Sequence, residues 1–296
     1  MKIGYIGLGI MGKPIARNIM KAGFTVVVHN RSRQSVQELV QEGAIEAHSP
    51  EEVAQQVEIV FTNLPDSPDV EQVALGDNGI LDGAHEGLIF IDNSTIKPAT
   101  TRSIGEALAK KGVTMLDAPV SGGDIGAIRG TLTIMVGGSE DGLNQALPVL
   151  EAIGSTITHV GRLGDGQIAK AANQIMVAAQ MVALGELLIF AQKAGADPEK
   201  VVQAIRGGAA ACWSLENKPQ RLFKGNREPG FKAAMMAKDL NIVTETAREY
   251  GIPVPSTAIQ TQLFNAMVTM GMHDLDNSAV VGVIEKLAGV ELAVRD

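Results

Sequence analysis

The chain has 296 residues, enough for two domains, and its 45% hydrophobic and 20% charged residues are ordinary for a globular protein. Its 25 basic and 33 acidic residues leave a net charge of −8 with no basic run able to track a phosphate backbone, which argues against a nucleic-acid partner. A single cysteine, Cys212, rules out an intrachain disulfide framework, fits a reducing compartment, and reads as a small buried hydrophobe. A strand-like run follows Met1 almost at once, without a charged leader and cleavage site, so the reading is cytoplasmic. The most apolar stretch, Ile175 to Ala191, contains Gln180 and Glu186 and is shorter than the roughly 20 residues of a bilayer-spanning helix. It reads as a buried core helix, and no membrane partner is expected.

Ile3 to Ile6 is an apolar strand-like run, and Gly7-Leu8-Gly9-Ile10-Met11-Gly12 follows directly. Lys13 to Ala22 has helix length, Gly23 suits a C′ position, and Thr25 to His29 is the next strand. Strand, glycine turn, helix and strand thus fall within about 30 residues, the spacing of a dinucleotide-binding unit. In such a unit the first glycine permits the tight turn, the second lets backbone approach the pyrophosphate, and the third lets the helix pack on the strand. Free N–H groups at the helix N-terminus then meet the phosphates. The second strand ends at Asn30-Arg31-Ser32-Arg33, where an NAD site usually carries an acid for the ribose 2′-OH. Arg31 and Arg33 instead suit a 2′-phosphate, so NADP(H) is the preferred cofactor and NAD(H) the alternative.

Further strand-like runs at Glu58 to Thr62, Leu88 to Ile91, Val113 to Leu116, Thr131 to Val136 and Thr156 to Val160 alternate with helical segments. The alternation predicts an α/β fold with a largely parallel, doubly wound Rossmann sheet. After the glycine-rich loop Gly161 to Gly166 no convincing strand follows, and the composition turns all-helical. The domains are therefore expected at 1–162 and 163–296. About six helices are expected in the second, the first from about Gly166 to Lys193 and apolar on nearly every side, hence surrounded by protein. Gly195, Gly251 and Gly271 suit C′ positions, Asp197-Pro198 an N-terminus, and Ser256 and Ser278 N-caps.

Hydride transfer to a carbonyl needs a proton at the oxygen. The five histidines are scattered without zinc-ligand spacing, so another group must act. Lys170 is the only charged side chain between Asp165 and Glu186, near the start of the central helix. Burial and the positive end of the helix dipole both disfavour its ammonium form, which suits a reversible proton donor. Asn173 lies one turn on, placed to hold the lysine or the substrate oxygen. The bland alternative is a lysine reaching solvent from the first turn. At the end of the Val113 to Leu116 strand, Asp117-Ala118-Pro119-Val120-Ser121-Gly122-Gly123 offers backbone N–H groups in a turn for an anion such as a carboxylate. Asn63-Leu64-Pro65 and Asp92-Asn93-Ser94-Thr95 end neighbouring strands and should face the cofactor. Lys238 falls in a helical segment, Lys232 to Tyr250, where a lysine is ordinarily solvated; Trp213 reads as a core or interface anchor, and Met176, Met181, Met235 and Met236 as packing.

Together, the N-terminal glycine turn, the Asp117 to Gly123 segment, Gly166-x-x-x-Lys170-x-x-Asn173-Gln174 and Lys238-Asp239-Leu240 resemble the β-hydroxyacid dehydrogenase family over essentially the whole chain. The resemblance implies a Rossmann domain joined by a long helix to an all-α domain that mediates homodimer or homotetramer assembly. It implies Lys170 as the catalytic lysine with Asn173 its partner, and Ser121, Gly122 and Gly123 as the substrate carboxylate site. Ile10, Met11, Leu64, Pro65, Thr95 and Lys238 would lie near the cofactor with Gly7, Gly9, Gly12, Asn30, Arg31, Ser32 and Arg33. Asn30, where family members able to use NAD have Asp, favours NADP by removing repulsion toward the 2′-phosphate. The glycine pair after Ser121 and Gly130-Thr131-Leu132 look closest to the tartronate semialdehyde reductases, implying reduction of tartronate semialdehyde to D-glycerate. Asp276-Asn277-Ser278-Ala279 departs from the Asp-His-Ser-Ala associated with that branch, which keeps 3-hydroxyisobutyrate, succinic semialdehyde and glyoxylate chemistry open. A non-catalytic NADP-binding sensor is the alternative of another class.

Overall fold

The computed structural model describes residues 1–294 and divides into two compact units, Met1–Lys170 and Ala171–Asp296. In the first unit, β1 (Lys2–Ile6), β2 (Thr25–His29), β3 (Ile45–Glu46), β4 (Ile59–Thr62), β5 (Ile89–Asp92) and β6 (Thr114–Asp117) form a parallel sheet in the order β3-β2-β1-β4-β5-β6. This is the doubly wound order, with its reversal point between β1 and β4. The sheet continues through β7 (Val120–Ser121), β8 (Leu132–Gly137) and β9 (Gly154–Gly161), with β8 antiparallel to β6 and β7 and parallel to β9. The two-residue strands β3 and β7 are absent from the sequence reading because so short a pairing leaves no periodicity to detect.

Both faces of the sheet are covered, so its strands are apolar without alternation. Ile3, Tyr5, Val26, Val28, Ile59, Phe61, Ile89 and Ile91 enter one core. Ile6, Val27, Val60 and Phe90 enter the other, with Val53, Val70, Ile104 and Leu108 from the covering helices. Because the strands are parallel, Gly7, Asn63, Asn93 and Ala118 all emerge at the same edge, the carboxyl ends where ligands bind in such sheets.

The second unit is built of helices. The long helix Asp165–Lys193 begins in the first unit and is followed by α-helices Pro198–Ile205, Trp213–Asn217, Pro219–Phe223, Ala233–Glu249, Pro255–Met267 and Val281–Ala288. One core gathers Met181, Met236, Leu240, Phe264 and Met267, and a second Leu184, Leu188, Leu222, Phe223 and Val281. At 29 residues the long helix exceeds the apolar stretch read from the sequence and is long and apolar enough to cross a membrane, yet half of its most apolar window is buried within the protein. It is not enclosed on all sides: Met176 and Phe190 are exposed, so Met176 is not packing within this chain. Cys212 is half-buried against the second core rather than fully enclosed.

Two expected caps differ. The helix Pro255–Met267 starts from Val254 with Pro255 in its first turn, leaving Ser256 inside it. Asp276, not Ser278, caps the 3-10 turn Asn277–Val280 by accepting from the Ser278 N–H, because its carboxylate is also the hub of a buried polar cluster. Gly271 turns the chain at φ 80° inside a wide turn, Val268–Met272, after the helix Pro255–Met267.

Candidate active site

At the end of β1 the three glycines differ in what constrains them. Gly7 has φ 97°, and a Cβ there would strike the Asn63 carbonyl oxygen; a Cβ on Gly12 would collide with the Gly7 carbonyl oxygen. Gly9 is exposed, and a Cβ on it would meet nothing within 4 Å. The outer glycines therefore serve the chain's own packing, while the middle one leaves open backbone at the start of the helix Gly12–Lys21, as close approach of a pyrophosphate requires. The residues present fit a dinucleotide.

Asn30 braces this turn. Its Oδ1 accepts from the Leu8 N–H at 3.1 Å and its Nδ2 donates to the Ser32 carbonyl oxygen at 3.0 Å, so its amide shapes the loop from both ends. Arg31 projects with 87% of its side chain exposed and its guanidinium 3.8 Å from Asp69. Arg33 is ion-paired with Glu46 on β3, and His48 lies 3.8 Å from the same carboxylate. Glu46 escaped the sequence reading because nothing in its local pattern links it to residue 33.

The ends of β4 and β5 are tied together. Asp92 accepts from the Thr62 hydroxyl at 2.8 Å and from the Ser94 N–H at 3.0 Å, and Ser94 Oγ accepts from the Leu64 N–H at 2.8 Å. The turns carrying Leu64 and Thr95 are thereby braced by one buried serine, with Pro65 exposed and Thr95 half-buried.

Beyond β6, Asp117 is fully buried and accepts from the N–H groups of Gly164 at 2.8 Å and Gln167 at 2.7 Å, tying the strand end to the first turn of the long helix. Burial pushes its carboxyl up to about 6, against the pull of those hydrogen bonds. Lys170, only 6% exposed, donates from Nζ to the Val120 carbonyl oxygen at 2.8 Å. Its ammonium is thus held against the segment running into Ser121, Gly122 and Gly123, which turns at φ 134° and 64° through the two glycines. No such conformation is open to a residue with a Cβ without strain. In the second unit Asn173 donates to Gln174 Oε1 at 2.8 Å, Gln174 donates to Asp239 at 2.6 Å, and Lys238 pairs with Asp239 at 2.8 Å. Asn173 and Lys238, far apart in sequence, are linked through Gln174 and Asp239. Trp213 is 54% exposed, with Lys218 Nζ 5.6 Å from its ring centroid, so it anchors no core within the chain.

A doubly wound sheet with open backbone at its glycine turn, and a buried lysine held beside a second glycine turn at the same sheet edge, defines an NAD(P)-dependent oxidoreductase. Residues 2–161 match the NAD binding domain of 6-phosphogluconate dehydrogenase, and residues 164–284 the NAD-binding domain of NADP-dependent 3-hydroxyisobutyrate dehydrogenase. The chain is 42% identical over 293 residues to 2-hydroxy-3-oxopropionate reductase of Escherichia coli (strain K12), covering 99% of this chain and 100% of that one. It is 37% identical to 2-(hydroxymethyl)glutarate dehydrogenase of Eubacterium barkeri, over 99% of this chain and 98% of that one. Among solved structures, Mycobacterium tuberculosis 3-hydroxyisobutyrate dehydrogenase with L-serine is 31% identical with a TM-score of 0.87, covering 96% of this chain and 98% of that one. The chain belongs to the β-hydroxyacid dehydrogenase family.

Proposed function

We propose that this enzyme interconverts a small semialdehyde acid and its hydroxy acid, tartronate semialdehyde and D-glycerate first among them, with NADPH preferred and Lys170 as general acid and base. The observation that carries the reading is the 2.8 Å hydrogen bond from Lys170 Nζ to the Val120 carbonyl oxygen, which holds an ammonium beside Ser121. The reductase name of the E. coli relative supports the substrate, as does the L-serine, itself a 3-hydroxy acid, in the M. tuberculosis relative.

A reduced nicotinamide supplies hydride when bound. The protein's residues do the rest. Backbone N–H groups at Ser121, Gly122 and Gly123 receive the carboxylate, fixing the aldehyde relative to Lys170. The Lys170 ammonium donates a proton to the carbonyl oxygen as negative charge develops there, and in the reverse direction the neutral amine takes the hydroxyl proton. Asn173, one turn along the same helix, orients lysine and substrate. Gly9, Ile10 and Met11 would cradle the pyrophosphate on the turn that Gly7 and Gly12 make possible, Arg31 and Arg33 would take the 2′-phosphate beside Asn30 and Ser32, and Leu64, Pro65, Thr95 and Lys238 would bound the nicotinamide side. Taken by role, the domains are 1–162 and 163–296, divided at the glycine loop before the long helix although the first turns of that helix pack with the first compact unit, and the second domain provides the contacts of a cytoplasmic homodimer or homotetramer; its exposed Phe190 and Leu287 suit that role.

The test is a steady-state panel of semialdehyde acids, each with NADPH and NADH. Highest kcat/KM for tartronate semialdehyde with NADPH is the expected result. Turnover of none of them with either cofactor would overturn the reading.

A further inference from the structure

Gln167 is buried, 2% exposed, in the first turn of the long helix. Its side chain pairs with backbone as a neighbouring strand would: Nε2 donates to the Ser94 carbonyl oxygen at 2.9 Å, and Oε1 accepts from the Ile96 N–H at 3.1 Å. The two bonds straddle Thr95. The amide has only one workable orientation, because the flipped one would set NH2 against the Ile96 N–H and oxygen against the Ser94 oxygen. The root of the side chain is fixed as well, since the Gln167 N–H donates to Asp117 Oδ2 at 2.7 Å.

We propose that Gln167 is a positioning residue for hydride transfer: by pairing with the backbone on both sides of Thr95, it registers the cofactor-facing turn after β5 against the helix that carries Lys170. The inference rests on the reading of Lys170 as proton donor and Thr95 as lining the nicotinamide side. Lys170 follows Gln167 by one helical turn, so the two side chains share a face. Ser94 Oγ also accepts from the Leu64 N–H at 2.8 Å, so one hydrogen-bonded chain runs from Leu64 through Ser94 to Gln167. Two-point pairing matters because a single bond would let the Thr95 peptide swing, whereas two fix both its distance and its rotation. The hydride donor on the cofactor and the proton donor on the lysine act on the carbon and the oxygen of one carbonyl, so a misplacement of about 1 Å between them is enough to slow the transfer. A residue that only fastened the helix to the sheet would need neither the donor nor the acceptor to flank a cofactor-facing residue.

The test compares Gln167→Leu, Gln167→Glu and Lys170→Met in the full-length protein. The readouts are NADPH affinity by fluorescence titration, amide exchange across residues 94–97, kcat, and the isotope effect with 4-deuterated NADPH. Gln167→Leu is expected to keep NADPH affinity within about threefold, expose the Ile96 amide to exchange, lose roughly 10- to 100-fold in kcat and show a larger isotope effect. Gln167→Glu places a carboxylate opposite the Ser94 oxygen, but a protonated carboxyl offers the same donor and acceptor as the amide. Its kcat relative to wild type is therefore expected to climb as pH is lowered from 8 to 5.5 while its folded fraction and NADPH affinity relative to wild type stay level, whereas mere fastening would move the folded fraction with it; this comparison decides the matter if Gln167→Leu does not fold. Wild-type kcat in a folded Gln167→Leu, a loss confined to NADPH affinity, or a flat pH ratio for Gln167→Glu overturns the inference. Lys170→Met separates the two readings: its inactivity beside a fully active Gln167→Leu removes only the role of Gln167, whereas an active Lys170→Met removes the reading of the site itself.

Discussion

Lys170 and Val120 lie 50 residues apart in sequence and are joined by a 2.8 Å hydrogen bond from the lysine Nζ to the valine carbonyl oxygen. A lysine buried to 6% exposure is uncommon without a functional or paired role, and here a neutral acceptor directs it at the turn that begins with Ser121. Lys170→Met keeps the volume and removes the proton. It should lower kcat/KM for the semialdehyde by about 10²- to 10⁴-fold while NADPH affinity and melting temperature stay close to wild type. Steady-state kinetics beside a fluorescence titration checks this, and a variant within tenfold of wild-type turnover would remove Lys170 from the chemistry.

The sequence reading located seven of the nine strands, and singled out Lys170, because both leave local marks: β-branched runs bounded by glycine, and the only charge between Asp165 and Glu186 in a long apolar helix. What it could not reach were partners brought together only by folding. Glu46 beside Arg33, Asp239 at the end of the chain from Asn173, and Gln167 across Thr95 are each separated from their partners by at least a dozen residues of intervening structure. Asn30 shows the same limit from the other side. Its position marked it as cofactor-contacting, and nothing in the sequence marked the further pairing of its side-chain amide with the Leu8 N–H and the Ser32 carbonyl oxygen. Side-chain satisfaction of backbone is invisible until the turn is built.

The glycine turn separates binding from folding. Gly9→Val adds a side chain to open space, so its melting temperature should stay near wild type, while NADPH affinity falls at least about tenfold as the side chain fills the approach of the pyrophosphate. Gly12→Ala drives a Cβ into the Gly7 carbonyl oxygen and should instead lower stability by about 1–3 kcal/mol. Thermal melts and NADPH titrations of the two variants should therefore rank in opposite order; a shared loss of stability would contradict the assignment of Gly9.

Cofactor choice should turn on Arg31 and on the acid opposite Arg33. Removing a charge-assisted hydrogen bond to a 2′-phosphate costs about 1.5–3 kcal/mol, so Arg31→Ala should raise KM for NADPH about tenfold or more and leave NADH nearly unchanged. Glu46 neutralises Arg33 through a partly exposed ion pair. Glu46→Gln should release the guanidinium and improve NADPH over NADH by about two- to fivefold, the range expected for such a pair. Ratios of kcat/KM for the two cofactors measure both effects, and equal losses for NADH in Arg31→Ala would mean that Arg31 does not read the 2′-phosphate.

In the helical unit, Lys218 and Asp276 form a buried ion pair at 2.8 Å, with Asp276 also accepting from Gly230, Phe231 and Ser278. Burial pushes the Asp276 carboxyl up, but the Lys218 charge and the hydrogen bonds from Lys218 and Ser278 outweigh it and hold it below the usual carboxylate range. A depressed folded-state value contributes stability that is present above the unfolded value and lost as pH falls through the folded one. Lys218→Met should lower unfolding free energy by about 3–5 kcal/mol at neutral pH, and its difference from wild type should shrink as pH falls below the unfolded carboxylate value, because Asp276 then no longer loses a charge that Lys218 stabilised. Urea unfolding at several pH values gives both quantities, and a difference that does not shrink would show that the pair does not set the acid-induced loss.

Asp117 should act in the opposite sense. Its carboxyl, fully buried at the end of β6, is pushed up to about 6 by burial despite accepting from Gly164 and Gln167. A raised folded-state value means that the native protein holds a proton the unfolded chain has given up, so this contribution is complete below the unfolded carboxylate value and is lost as pH rises through about 6. Other acids titrate in the same window, so the comparison is with Asp117→Asn, which cannot ionise. The unfolding free energy of wild type minus that of Asp117→Asn should fall by about 2–3 kcal/mol between pH 4 and pH 7. A difference that stays level, or that grows with pH, would show that the two N–H donors of the long helix stabilise the carboxylate more than burial disfavours it.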